Sequence, residues 1–173
     1  MTAKIIKRFY LRINSSTKNI KMEIVCSTDS KYIMPTGIML TSLFESNRGE
    51  VVNVHLLHDQ DSAALLDSIR TIAARYQQNI HFYLINDDIF KHFPIGLDFQ
   101  VDHVGTSFAT YYRLYLTEIL PADIDKVIYL DGDILVVDKL IELWNTSVEN
   151  YAIAAVPDSY NNKIEHYNRL RYP

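Results

Sequence analysis

The sequence predicts an α/β domain built on a mostly parallel sheet with helices on both sides. Three observations carry that expectation. Short β-like runs recur at Glu23–Ser27, Val51–His58, Ile80–Ile85, Lys126–Leu130 with Ile134–Val137, and Tyr151–Val156. Stretches with helical spacing separate them, and the runs are apolar at successive positions, as strands covered on both faces must be.

Taken in order, the helical stretches are equally legible. Between the first two runs, Ile38, Leu40, Leu43 and Phe44 of Pro35–Phe44 share one helical face. Between the second and third, Leu65, Leu66, Ile69, Ile72 and Ala73 repeat at helical spacing. Ser107–Leu120 reads as a further helix that ends before Pro121.

The 173 residues suffice for one well-packed core, and no repeat, low-complexity tract or Pro/Gly/Ser-rich linker marks a boundary after about residue 21. The expected organisation is a basic leader over residues 1–21 followed by one domain over 22–173. In the leader, Lys4, Lys7, Arg8, Arg12, Lys18 and Lys21 all precede the first acid, Glu23, and are interleaved with Ile5, Ile6, Phe9, Tyr10, Leu11 and Ile13. Such a segment reads either as an irregular terminus, because termini are poorly ordered unless tied down, or as a basic amphipathic segment resting on an anionic membrane.

Composition excludes several classes of function. The net charge of −4, with no basic stripe through the body of the chain, argues against nucleic acid as a partner. No run approaches the ~20 apolar residues that span a bilayer, and the start lacks a cleavable secretory pattern, so the expected location is cytoplasmic, with any membrane contact made peripherally through 1–21. Cys26 is the sole cysteine and lies in an apolar run, which makes it a buried, inert thiol and precludes a thiolate metal cluster. His55, His58, His81 and His103 show no zinc-ligand spacing and read as structural histidines.

In parallel sheets, ligands bind outside the carboxyl ends of the strands. The first run ends in Ser27-Thr28-Asp29-Ser30-Lys31-Tyr32, where small hydroxylated residues admit a ligand to the backbone, Asp29 accepts hydrogen bonds from a base or ribose, and Tyr32 offers a stacking face. The same residues also suit a turn before a helix, with Asp29 or Ser30 as cap. The fourth run ends in Leu130-Asp131-Gly132-Asp133-Ile134. Carboxylates two apart in an extended chain point the same way, so Asp131 and Asp133 could share a hard divalent cation, with Gly132 leaving the backbone between them bare. Asp-Gly between apolar runs is equally a hairpin signal, and local pattern alone leaves that choice open. Arg113, on the helix before this site, either counters phosphate charge or pairs with a carboxylate.

In order and spacing these elements resemble the retaining glycosyltransferases of family eight, over about Met22 to Asp158. Met22-Glu23-Ile24-Val25-Cys26-Ser27-Thr28-Asp29 looks like the family's first strand and nucleotide loop, Thr110-Tyr111-Tyr112-Arg113-Leu114 like its arginine helix, and Lys126 to Val136 like its metal motif. The resemblance implies a Rossmann-like nucleotide-sugar-binding domain of the glycosyltransferase A type. Ser27, Thr28 and Asp29 would hold uracil and ribose, and Tyr32 would stack on the base. Arg113 would lie near the diphosphate or sugar, and the Gly132 backbone would touch the ribose. Asp131 and Asp133 would bind Mn²⁺ or Mg²⁺. Asp158 matches a family carboxylate near sugar and acceptor and, with Arg113, is the expected catalytic pair. A UDP-hexose would be the donor, and a glycan, lipid-linked saccharide or protein the acceptor.

The family continues beyond the equivalent of Arg171-Tyr172-Pro173 with more sheet, an acceptor region and a histidine that completes the metal site. The expectation is therefore a C-terminally incomplete domain that binds donor with metal but transfers poorly, with self-association through uncovered apolar strand faces as a further expectation. Two alternatives stand beside it: a truncated, non-catalytic nucleotide-binding or interaction module, and a haloacid-dehalogenase-type phosphatase. The phosphatase motif normally opens the chain and carries Thr or Val where this chain has Leu135.

Overall fold

A computed structural model describes residues 4–7, 21–93 and 107–156. Among them, β1 (Lys4–Lys7), β2 (Lys21–Thr28), β3 (Val51–His58), β4 (Asn79–Leu84), β5 (Lys126–Tyr129) and β6 (Ile153–Ala155) form one sheet in the order β4-β3-β2-β5-β1-β6. The neighbours β4, β3, β2 and β5 are parallel, and β1 runs antiparallel to both β5 and β6. The mostly parallel α/β sheet expected from the apolar runs is thus the one observed.

Periodicity missed β1. Lys4–Lys7 belongs to the sheet rather than to a separate leader: it pairs from Lys4↔Tyr129 to Lys7↔Lys126 on one side and from Lys4↔Ala155 to Ile6↔Ile153 on the other. Its β-branched Ile5-Ile6 centre suits an extended strand, but four residues are too few to display a period. Residues 8–20 of the same stretch lie outside the described residues.

Alternation along the strands divides the core in two. Met22, Ile24 and Cys26 of β2, with Val52, Val54 and Leu56 of β3, face helices α1 (Ile33–Ser46) and α2 (Leu66–Arg75). Val25 of β2, Leu57 of β3, and Val127 and Tyr129 of β5 face the opposite layer, made by Phe90, Ala109, Tyr112 and Leu116. Because both faces of the central strands β2, β3 and β5 are covered, most of their residues are offered an apolar environment, and that produces the apolar runs in the sequence. Each large side chain so buried contributes about 1.5–3 kcal/mol.

Helix α1 buries the stripe Ile33, Thr36, Gly37, Leu40, Leu43 and Phe44, at three- and four-residue steps. A Cβ at Gly37 would lie 3.2 Å from Ile72 Cδ1, so the absence of a side chain sets how closely α2 approaches.

Two expected elements take other forms. Ser107–Leu120 is not one helix but 3-10 turns at Phe108–Thr110 and Tyr112–Tyr115 followed by a single α-turn, α3 (Leu116–Ile119). Aromatic and β-branched residues are weak helix formers, and here Tyr111, Tyr112 and Tyr115 pack on Phe90 while the Tyr112 hydroxyl donates to the Asp87 carboxylate. Tertiary contacts outweigh local preference. Ile134–Val137 is not a strand: the Val136 N–H donates to Ser42 Oγ at 2.9 Å and its carbonyl accepts from Ser46 Oγ at 2.9 Å. Helix α1 thereby satisfies backbone groups that a neighbouring strand would otherwise pair. A short helix, α4 (Ile141–Asn145), follows.

On the face of the sheet away from α1, Glu23 Oε2 lies 2.9 Å from His55 Nε2, and His55 Nδ1 lies 2.9 Å from the Tyr83 hydroxyl. Asn53 Nδ2 donates to Glu23 Oε1, and His81 stacks on His55. His58 Nδ1 contacts the Asp59 carbonyl. His55 and His58 are buried and His81 is exposed; His103 lies outside the described residues. Among the described residues, no helix is long and apolar enough to cross a membrane.

Candidate functional site

Parallel pairing of β2 with β5 builds the site. Val25 lies opposite Tyr129, and the Leu130 N–H donates to the Val25 carbonyl at 2.9 Å. Ser27-Thr28-Asp29 and Asp131-Gly132-Asp133 therefore leave the sheet side by side, at the strand ends where open α/β sheets bind ligands. The chain beyond Asp133 runs along α1 instead of folding back on β5, which answers the hairpin question left open by the local pattern.

A cleft of about 320 Å³ lies between these ends. Ser27, Thr28, Asp29 and Tyr32 form one wall, Ser107, Ala109, Thr110 and Arg113 a second, and Asp131, Gly132 and Asp133 the third. The fold thus brings together every expected site residue except Asp158, which lies outside the described residues. The cleft's polar lining, with the carboxylates of Asp29, Asp131 and Asp133 and the Arg113 guanidinium, suits a charged ligand better than an apolar one.

Within the cleft, Arg113 both pairs with a carboxylate and lines the wall. Its Nη2 donates to Asp131 Oδ1 at 2.8 Å, its Nε donates to the Thr110 carbonyl at 2.9 Å, and its Cζ lies 4.5 Å from the centre of the Tyr129 ring. The Tyr129 hydroxyl is 2.6 Å from Ser27 Oγ. Burial pushes the Tyr129 phenol up to about 12 against the opposing pull of Arg113 and Ser27, so it remains protonated at neutral pH.

Asp29 holds the turn that leads into α1: its Oδ1 accepts from the backbone N–H groups of Lys31 and Tyr32 at 2.9 and 3.0 Å. The expected turn before a helix is therefore present, but neither Asp29 nor Ser30 caps it: the N-cap position of α1 is Tyr32 and no side chain caps the helix, while Asp29 also lines the cleft. Thr28 is buried, its hydroxyl donating to the Asp29 carbonyl and accepting from Thr36 Oγ1 at 3.1 Å. Its position is that expected, but its hydroxyl serves the loop. A Cβ on Gly132 would lie 2.6 Å from Thr36 Oγ1 and 3.3 Å from the Ser27 carbonyl oxygen. Glycine is thus demanded here by the protein's own packing, independently of any ligand.

The residues missed from the sequence are Tyr129, Thr36 and Ser107. Tyr129 had a usable signal: in an extended strand it points to the same side as Asp131. Thr36 and Ser107 carried none.

Asp131 and Asp133 supply hard oxygen donors on one wall. Among the described residues, no group of three or more acidic, histidine or cysteine side chains gathers at one point. Two carboxylates, with phosphate oxygens and waters completing the shell, is the donor set that Mg²⁺-like ions accept when they accompany a nucleotide. The residues fit such an ion.

A family model described as glycosyl transferase family 8 matches residues 23–171. The chain belongs to that family. This family 8 chain is 30% identical over 139 residues to a Haemophilus influenzae protein assigned as a glycosyltransferase, covering 80% of this chain and 40% of that protein. To the lipopolysaccharide glucosyltransferase WaaO of Escherichia coli it is 27% identical over 143 residues, covering 81% of this chain and 39% of that protein. The galactosyltransferase LgtC, solved with donor and acceptor sugar analogs, matches with a TM-score of 0.60 and 32% identity over 73% of this chain and 43% of that one. The architecture of the family 8 chain is accordingly the glycosyltransferase A fold, and the chain spans about two fifths of the length of these proteins. Family membership sets aside the phosphatase alternative.

Proposed function

We propose that this chain is the donor-binding part of a retaining, metal-dependent hexosyltransferase that takes a UDP-hexose and serves a glycan, lipid-linked saccharide or protein acceptor. The observation that carries the reading is the convergence, in one cleft, of the β2 loop, Arg113 and the Asp131/Asp133 pair from three separate parts of the chain. LgtC, similar over most of this chain, was solved with donor and acceptor sugar analogs, which supports a sugar donor here.

In this reading Tyr32 stacks on the base, the Ser27–Asp29 loop meets base and ribose, and the Gly132 backbone approaches the ribose. Asp131 and Asp133 hold Mn²⁺ or Mg²⁺, whose charge, when bound, neutralises phosphate oxygens of the donor. As the bond from the anomeric carbon to the phosphate oxygen breaks, negative charge gathers on the departing nucleotide. Arg113, already held at the cleft wall, stabilises that charge without having to reorganise. Asp158 is the proposed carboxylate near sugar and acceptor.

Calorimetric titration of the full chain with UDP, with and without Mn²⁺, tests the reading. Affinity should rise markedly with the ion, and equal affinity in EDTA would contradict it.

A further inference from the structure

We propose that Tyr129 is a positioning residue that joins the two halves of the nucleotide site, holding Ser27 by its hydroxyl and Arg113 by its ring. The inference rests on the nucleotide reading of the cleft and extends it to a residue that touches no substrate.

Tyr129 is fully buried at the end of β5, two residues before Asp131. Arg113 touches both the Tyr129 ring and the Asp131 carboxylate, which places the ring on the Arg113 side of the strand end, while the neighbour of Tyr129 across the ladder is Val25, two residues before Ser27. The ring therefore extends beneath the cleft between both strand ends. Its hydroxyl meets Ser27 Oγ at 2.6 Å, and Arg113 Cζ lies 4.5 Å from the ring centre. The guanidinium is thereby held three ways: by the Thr110 carbonyl, by Asp131 and by an aromatic face. One side chain thus supplies two separable contacts. Phenylalanine keeps the ring and loses the hydroxyl; leucine loses both.

That separation defines the test. Wild type, Tyr129→Phe and Tyr129→Leu are titrated with uridine, with inorganic pyrophosphate plus Mn²⁺, and with UDP plus Mn²⁺, and the thermal midpoint of each variant is measured. Tyr129→Phe should lose roughly fivefold in uridine affinity, the worth of one hydrogen bond, while binding pyrophosphate within roughly twofold of wild type, because the face under Arg113 remains. Tyr129→Leu should lose roughly fivefold or more on both probes. Since leucine can fail to fold, Ser27→Ala is also combined with Tyr129→Phe. The pair should bind uridine about as well as the weaker single variant, because each removes the same bond. Losses on both probes that track the thermal midpoint in Tyr129→Phe, or additive losses in the double variant, would overturn the proposal while leaving the nucleotide reading intact. Failure of wild type to bind UDP with Mn²⁺ would remove the nucleotide reading and this proposal with it.

Discussion

Replacing Gly132 with alanine places a methyl group 2.6 Å from Thr36 Oγ1 and 3.3 Å from the Ser27 carbonyl oxygen, the first distance well inside ordinary contact. Thr36 is β-branched and helical, so its hydroxyl has only one other favoured χ1 setting to turn to. If it does turn, the 3.1 Å bond to Thr28 Oγ1 is lost. Overpacking of this kind costs about 1–3 kcal/mol and a lost buried hydrogen bond about 1 kcal/mol more. The expected loss is about 2–4 kcal/mol, read as a fall in thermal midpoint of roughly 5–12 °C for a domain of this size. The decisive control is a double-mutant cycle with Thr36→Ala. That change removes Oγ1 and leaves the Thr36 Cβ at 3.7 Å, an ordinary contact, so the pair should be less destabilised than the sum of the singles by about 1–2 kcal/mol. The Ser27 carbonyl stays where it is, so the rescue is partial. Strict additivity in the melting data would refute packing against Thr36 as the reason for glycine at this position.

Asp131→Asn and Asp133→Asn should each abolish most of the Mn²⁺-dependent gain in UDP affinity, roughly 10- to 100-fold for one charge-assisted contact; calorimetry in Mn²⁺ and in EDTA measures it, and an undiminished gain would count against the cation assignment. Burial raises the Cys26 thiol from its ordinary 9.0 to about 12, so the folded state keeps a proton that the unfolded chain releases; this thiol's contribution to stability is unchanged below pH 9 and falls by roughly 1 kcal/mol per pH unit from 9 towards 12. Melting curves of Cys26→Ala should be correspondingly flatter in that range, and parallel wild-type and variant curves would contradict the burial argument. Glu23→Ala leaves His55 and Asn53 without their shared acceptor and should cost about 2–3 kcal/mol in chemical denaturation. UDP affinity should not change, because Glu23 lies four residues before Ser27, about 13 Å along the strand; a weakened affinity would mean the two ends of the sheet are coupled.

Local patterning sufficed for the main strands and for helices α1 and α2 because each is long enough to repeat its period, and because central strands covered on both faces write themselves as apolar runs. Chemistry-bearing residues were legible where side-chain type and spacing carry the meaning: the β2 loop, Arg113 and the two aspartates all line one cleft. Three features came only from folding in three dimensions. Lys4–Lys7 is a strand because β5 and β6 accept it, a fact absent from its own four residues. The helix expected over Ser107–Leu120 breaks into tighter turns because its tyrosines are drawn onto Phe90 and Asp87. Asp131-Gly132-Asp133 is part of a cleft and not a hairpin tip because β5 pairs in parallel with β2, which sets Tyr129 against Ser27 from 102 positions away. Periodicity records which way each side chain points along its own segment; which segments become neighbours depends on the free energy of the whole packed chain, and no local stretch of sequence contains that sum.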